Sequence, residues 1–178
     1  MITKRPWLER GFDSETPVSM LPDLLERLRG TPARLWDRTR DVPVDVLTRR
    51  VGDTWSIQEI VGHLQQTEEL WAGRLDDFEA GAAALRPARF ESGRVEAERF
   101  NERPLSEILD DFRNKRLGLV ARLEAWADEV IAREAWHPRL QRPMGVVGLV
   151  VFIAEHDDHH LARMTEILTG RANAADKR

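Results

Sequence analysis

The stretch VVGLVVFIAEHDDHHLARMTEILT, residues 146–169, decides how the rest of the chain is read. Its positions Leu149, Ile153, His156, His160, Met164 and Ile167 step by 4, 3, 4, 4 and 3, the spacing of a single buried helical face. Gly170 follows as a C-cap. Two of the chain's five histidines therefore stand where a bundle helix carries apolar residues. His159 falls beside the seam, on the row of Phe152, Arg163 and Glu166, and reads as a supporting or surface residue. Side chains four apart on a helix have Cβ atoms about 5–6 Å from each other. Metal–nitrogen bonds of about 2.0–2.1 Å let both rings reach one ion. A lone buried histidine is ordinarily satisfied by a hydrogen bond. Two in register on an apolar stripe are harder to satisfy, since an unpaired buried polar group costs about 1–3 kcal/mol.

Working outward, Met20, Leu21, Leu24, Leu25 and Leu28 open a helix over about 19–40, with Gly30-Thr31-Pro32 predicting a kink and Thr31 a new cap. Residues 41–54 are a connection with one short turn at 44–49. Ser56-Ile-Gln-Glu59 is a capping box that starts a helix over 57–80, with Ile57, Ile60, Val61, Leu64, Trp71, Leu75 and Phe78 on its apolar face. Residues 81–103 lack periodicity and read as a long loop. Leu105, Ile108, Leu109, Phe112, Leu119, Leu123 and Trp126 mark a helix over 105–127, and 128–145 reads as irregular. An N-terminal arm, 1–18, held by Trp7 and Phe12, and a frayed tail, 171–178, complete one domain. Four long helical patterns and no convincing strand predict an all-α four-helix bundle, a fold that places metal sites on facing helices.

The third histidine of interest, His63, lies near the middle of the 57–80 helix, where an antiparallel neighbour would bring it to His156 and His160. Three imidazoles with an open fourth position resemble a catalytic zinc-type site. His137, before a proline, reads as a turn residue. Glu59 belongs to the capping box. Asp157 and Asp158 project away from the seam, either solvated or holding a ring N–H. His156-Asp-Asp-His-His160 has the outline of a zinc-protease helix, with Asp157 in place of glutamate. The chain offers no downstream glutamate ligand of that kind and no substrate-binding strand, so that reading is set aside.

Composition narrows the chemistry. The 178 residues carry a net charge of −4, against a nucleic-acid partner. Cysteine is absent, which excludes disulfides, thiolate ligands and a cysteine nucleophile; a thiol, if used, comes from a small molecule. No apolar run spans a membrane and no signal-peptide core is present, so a cytoplasmic location is expected.

Trp55-Ser-Ile-Gln-Glu-Ile-Val-Gly-His63-Leu, Ile153-Ala-Glu-His156-Asp-Asp-His-His160-Leu-Ala-Arg163 and Leu28-Arg-Gly-Thr-Pro-Ala-Arg34-Leu, in this order, resemble the DinB-like (YfiT-like) superfamily of four-helix-bundle metalloproteins. The resemblance covers about residues 7–170. It implies that His63, His156 and His160 form a metal triad for zinc, nickel, iron or manganese, and that the chain forms homodimers. It also implies a small-molecule substrate and either hydrolysis or transfer of a low-molecular-weight thiol such as bacillithiol or mycothiol, including mycothiol-dependent maleylpyruvate isomerisation. The competing expectation is a non-catalytic module that binds a metal or ligand.

Overall fold

The structure, a computed structural model, describes Trp7, residues 16–88 and residues 94–171. Phe12, most of the N-terminal arm and the tail 172–178 lie outside the described residues. Four long helices dominate: α1 (Leu21–Thr39), α3 (Ile57–Glu79), α5 (Leu105–Glu124) and α7 (Val146–Leu168). Short helical turns α2 (Val44–Leu47), α4 (Arg94–Ala97) and α6 (Asp128–Ile131) lie in the connections. The all-α four-helix bundle expected from the periodicity is the fold observed.

Helix α3 has a clear local start. Ser56 Oγ accepts from the Glu59 N–H at 3.1 Å, while the Glu59 carboxylate accepts from the Ser56 N–H at 2.9 Å, completing the capping box of α3. Arg50 holds the same carboxylate at 2.8 and 3.1 Å. Burial works to raise the Glu59 carboxyl, but Arg50 and the Ser56 N–H hold it below its usual range. Glu59 is therefore committed to the helix start. Helix α1 runs unbroken through Gly30-Thr31-Pro32, where the sequence predicts a new cap. Thr31 does not cap. Its hydroxyl donates to the Asp157 carboxylate at 2.9 Å and lies 3.3 Å from the Arg27 carbonyl.

The helices pack in an order that the sequence does not disclose. α1 packs on α5 and α7, and α3 packs on the same two helices. Consecutive long helices α1 and α3 thus occupy opposite corners, as do α5 and α7. Diagonal neighbours need long connections, and residues 40–56 and 125–145 supply them.

The second connection corrects the expectation of an irregular segment. β1 (Glu134–His137) pairs antiparallel with β2 (Arg142–Gly145), with Glu134 opposite Gly145 and His137 opposite Arg142. Ala135 and His137 point inward, while Glu134 and Trp136 face out. Strands of four residues are too short for a clear period-two pattern. The turn also hides its signature, because Gln141 takes the left-handed position (φ 53) usually given to Gly or Asn. The chain after α3 joins this hairpin: the Leu85 N–H donates to the Trp136 carbonyl, and the Trp136 N–H to the Ala83 carbonyl, both at 2.9 Å. Within 81–103, Phe100 is buried against α3 at Gly62, where any Cβ would overlap its ring.

Two apolar clusters fill the bundle. One gathers Leu24, Leu28, Trp71, Leu75, Leu119, Leu123, Val150 and Ile153. The other gathers Leu35, Ile60, Leu64, Ile108, Phe112, Leu161 and Met164. Between them lies a polar layer made of Thr31 on α1, His63 and Glu68 on α3, Arg116 on α5, and His156, Asp157 and His160 on α7. Among the described residues no helix is long and apolar enough to cross a membrane.

Candidate metal centre

Helices α3 and α7 are direct neighbours, and their facing seams bring His63, His156 and His160 together. One ring nitrogen from each lies within 4.8 Å of the others. The ring centroids are 5.2 Å apart for His63–His156, 4.7 Å for His63–His160 and 4.6 Å for His156–His160. All three are buried, with exposures of 7%, 6% and 9%. The Nε2 atoms of His63 and His156 stand 3.2 Å apart. Two nitrogens held about 2.0–2.1 Å from one ion at a tetrahedral angle would lie about 3.3–3.4 Å apart. The gap therefore fits a shared ion as it stands.

Burial keeps two of these rings, His63 and His156, neutral. Trp55 lies 4.7 Å from the His63 ring and 6.3 Å from the His160 ring. Trp7 and Trp71 pack edge-on to His156 at 5.2 and 5.6 Å. Burial, with the neighbouring His159, lowers the His63 pKa from 6.5 to about 4. Burial pushes His156 well below 6.5, helped by His63, His159 and Arg116. Neutral imidazole is the form that ligates a metal. His156 Nδ1 is buried without a hydrogen-bond partner. If both Nε2 lone pairs face an ion, each ring carries its proton on Nδ1. The donor set, its charge state and its spacing all fit a divalent cation.

A second polar group shares the layer. Arg116 is fully buried and reaches from α5 across the bundle axis. Its Nε and Nη2 donate to Glu68 at 3.1 and 2.6 Å. Nη1 and Nη2 donate to Asp157, the latter at 3.2 Å. Thr31 completes Asp157, and Arg34 donates to the Thr31 hydroxyl at 2.8 Å. One guanidinium thus ties α3, α5 and α7 together, with α1 joined through Thr31.

Some expected roles change. Asp157 is neither solvated nor hydrogen-bonded to an imidazole; it belongs to the Arg116 cluster. Asp158 pairs with Arg27 and Arg34 of α1, at 2.6 Å in the latter case. His137 is not a loop-surface residue: it ends β1, is fully buried and accepts from Arg74 Nη1 at 2.9 Å. His159 stays beside the seam, 5.1 Å from the His160 ring. Glu68 and Arg116 were not singled out from sequence, yet a signal exists. The apolar face of α3 skips from Leu64 to Trp71, and that of α5 from Phe112 to Leu119. Each gap spans two turns, and Glu68 and Arg116 fill the vacant inward positions.

The DinB superfamily model matches residues 27–164, a span that includes all three histidines. Among solved structures, YfiT from Bacillus subtilis, described as a probable metal-dependent hydrolase with an unusual four-helix bundle topology, aligns with a TM-score of 0.71. The identity is 18%, over 90% of this chain and 93% of that one, so the likeness is one of fold. No curated protein matches the chain. With its bundle built and most of its length matched by the family model, the chain belongs to the DinB superfamily.

Proposed function

We propose that the protein is a metal-dependent enzyme in which His63, His156 and His160 hold one divalent cation. On this reading it directs water or a low-molecular-weight thiol at an electrophilic small molecule. The observation that carries this reading is the convergence of three buried imidazoles from two helices, with two Nε2 atoms at a spacing suited to one ion. The chain's likeness in fold to YfiT, itself described as a probable metal-dependent hydrolase, supports the hydrolytic branch. The absence of cysteine means that a thiol in the transfer branch arrives with the reactants. Zinc and nickel suit three nitrogen ligands, and iron and manganese remain within the set. When bound, such an ion acidifies the water or thiol that approaches it.

The chain's own residues prepare that event. The histidines leave room for a reactant, because three protein ligands do not complete a tetrahedron. Trp55, Trp7 and Trp71 form apolar walls beside the rings, and burial keeps His63 and His156 uncharged. The metal-ligating group found among the described residues holds no carboxylate; an ion held there would lower the pKa of the water or thiol, whose proton would leave to solvent. A homodimer is the assembly we propose, and sedimentation tests it.

The test supplies zinc- or nickel-loaded protein with a reactive aryl ester, with and without a small thiol. Turnover that requires metal and disappears in His156→Leu is expected. Acceleration by thiol would assign the transfer branch. Equal rates in the wild type and the variant would overturn the enzymatic reading in favour of a binding module.

A further inference from the structure

About three turns along α3 from His63, the helix carries a charge that the proposed chemistry does not use. Arg74 is 1% exposed and makes no ion pair among the described residues. The carboxylate that acts on it electrostatically, Asp77, is bound by Arg86 at 2.8 Å. Arg74 instead rests 5.5 Å from the Trp71 ring centre, with its Nε 3.3 Å from the Arg86 carbonyl and its Nη1 2.9 Å from His137 Nε2. Burial lowers the Arg74 pKa to about 10 and is the main reason His137 is lowered to about 4. The guanidinium therefore faces a neutral ring.

The neighbourhood has too many donors. His137 meets the Leu140 N–H at Nδ1, 3.1 Å away, as well as Arg74 at Nε2. A neutral imidazole has only one acceptor nitrogen. Trp71, 2% exposed, has no hydrogen-bond partner for its indole N–H. His156 Nδ1 is similarly unpartnered. A buried cation and unsatisfied donors are each costly unless an acceptor completes them. The Arg74 guanidinium carbon is 5.5 Å from the Trp71 ring centre, and that centre is 5.6 Å from the His156 ring. The Trp71 ring thus lies in contact range of both the Arg74 guanidinium and the His156 ring.

We propose that Arg74 and the Trp71 indole N–H seat a carboxylate group of the reactant that meets the three histidines. The choice of reactant rests on the proposed catalytic reading, but the seat itself stands on its own geometry. A planar guanidinium offers a paired-donor fork that matches a carboxylate better than a spherical anion.

The test uses purified protein with and without zinc. Acetate and chloride are titrated separately while the Trp71 indole 15N–1H signal, assigned by its loss in Trp71→Phe, is followed. We expect a saturable shift with acetate, little with chloride, and none with acetate in Arg74→Gln. Calorimetry adds a second readout: acetate binds about fivefold more weakly to Trp71→Phe, the loss of one hydrogen bond. It binds about tenfold more weakly to Arg74→Lys, which keeps the charge but loses the fork. If Arg74→Gln does not fold, these two variants decide. In zinc-loaded protein, 3-mercaptopropionate should bind at least about tenfold tighter than 2-mercaptoethanol, since one charge-assisted hydrogen bond is worth about that much. No acetate shift, an equal chloride shift, or equal binding of the two thiols overturns the proposal. Acetate binding in protein that takes up no metal would sink the catalytic reading and leave the seat standing; metal uptake without acetate binding would do the reverse.

Discussion

The polar layer of this bundle contains two clusters built on opposite rules. In the Glu68–Arg116–Asp157 cluster, each carboxylate accepts from the same guanidinium, and Thr31 adds a donor to Asp157. In the histidine cluster, three buried rings face one another, and His156 Nδ1 has no partner. The first group is complete without any addition. The second has the donor set and spacing of the ion proposed for it. Buried polarity in one layer therefore has two meanings: a satisfied network fixes how helices meet, and an unsatisfied one marks where a ligand belongs.

Breaking the complete cluster gives the largest expected effect on folding. Arg116→Met leaves two buried carboxylates unpaired, which costs about 3–5 kcal/mol. Denaturant unfolding should show that loss or outright failure to fold. Next comes acidification of metal-free protein. His63 binds a proton less readily when folded, its pKa falling from 6.5 to about 4, so protonation favours the unfolded chain. Its stability contribution is intact above pH 6.5 and is lost as pH falls toward 4, a change of about 3 kcal/mol. His63→Leu should remove that share of the slope, and a slope unchanged in the variant would show that His63 is not held neutral.

Gly62→Ala sits between the clusters and the loop that covers them. Its methyl would overlap the Phe100 ring, at the residue preceding His63. Overpacking of this kind costs about 1–3 kcal/mol, and thermal unfolding should reveal it with weaker metal uptake. Asp158→Asn removes a half-exposed pairing with Arg27 and Arg34 and should cost about 1 kcal/mol or less. A similarly small folding effect is expected from His156→Leu. It removes an unpartnered Nδ1 and keeps apolar bulk, but takes from His63 Nε2 its 3.2 Å neighbour, so metal-free stability should fall by about 1 kcal/mol. A loss as large as that of Arg116→Met would erase the distinction between the clusters.

The two clusters also differ in how far sequence reveals them. His156 and His160 stand out because they interrupt an apolar stripe at helical spacing within one segment, and the four long helices are legible by the same periodicity. Arg116, Glu68 and Asp157 lie on three helices, and their pairing depends on the diagonal packing of α5 and α7, which no local pattern encodes. Asp157 consequently looks solvent-facing in sequence although it is fully buried. His137 looks like a turn residue because its strand is four residues long and its turn uses Gln141 rather than glycine. The Arg74 environment is invisible for the same reason, since it forms only when the hairpin folds onto α3.

The most direct test of the histidine cluster is the metal content of protein purified without chelators, compared with that of His63→Leu and His160→Leu. The account predicts about one zinc or nickel per wild-type chain and almost none in either folded variant. Metal-free wild-type protein that also refuses added zinc and nickel, or variants that keep a full complement, would contradict it.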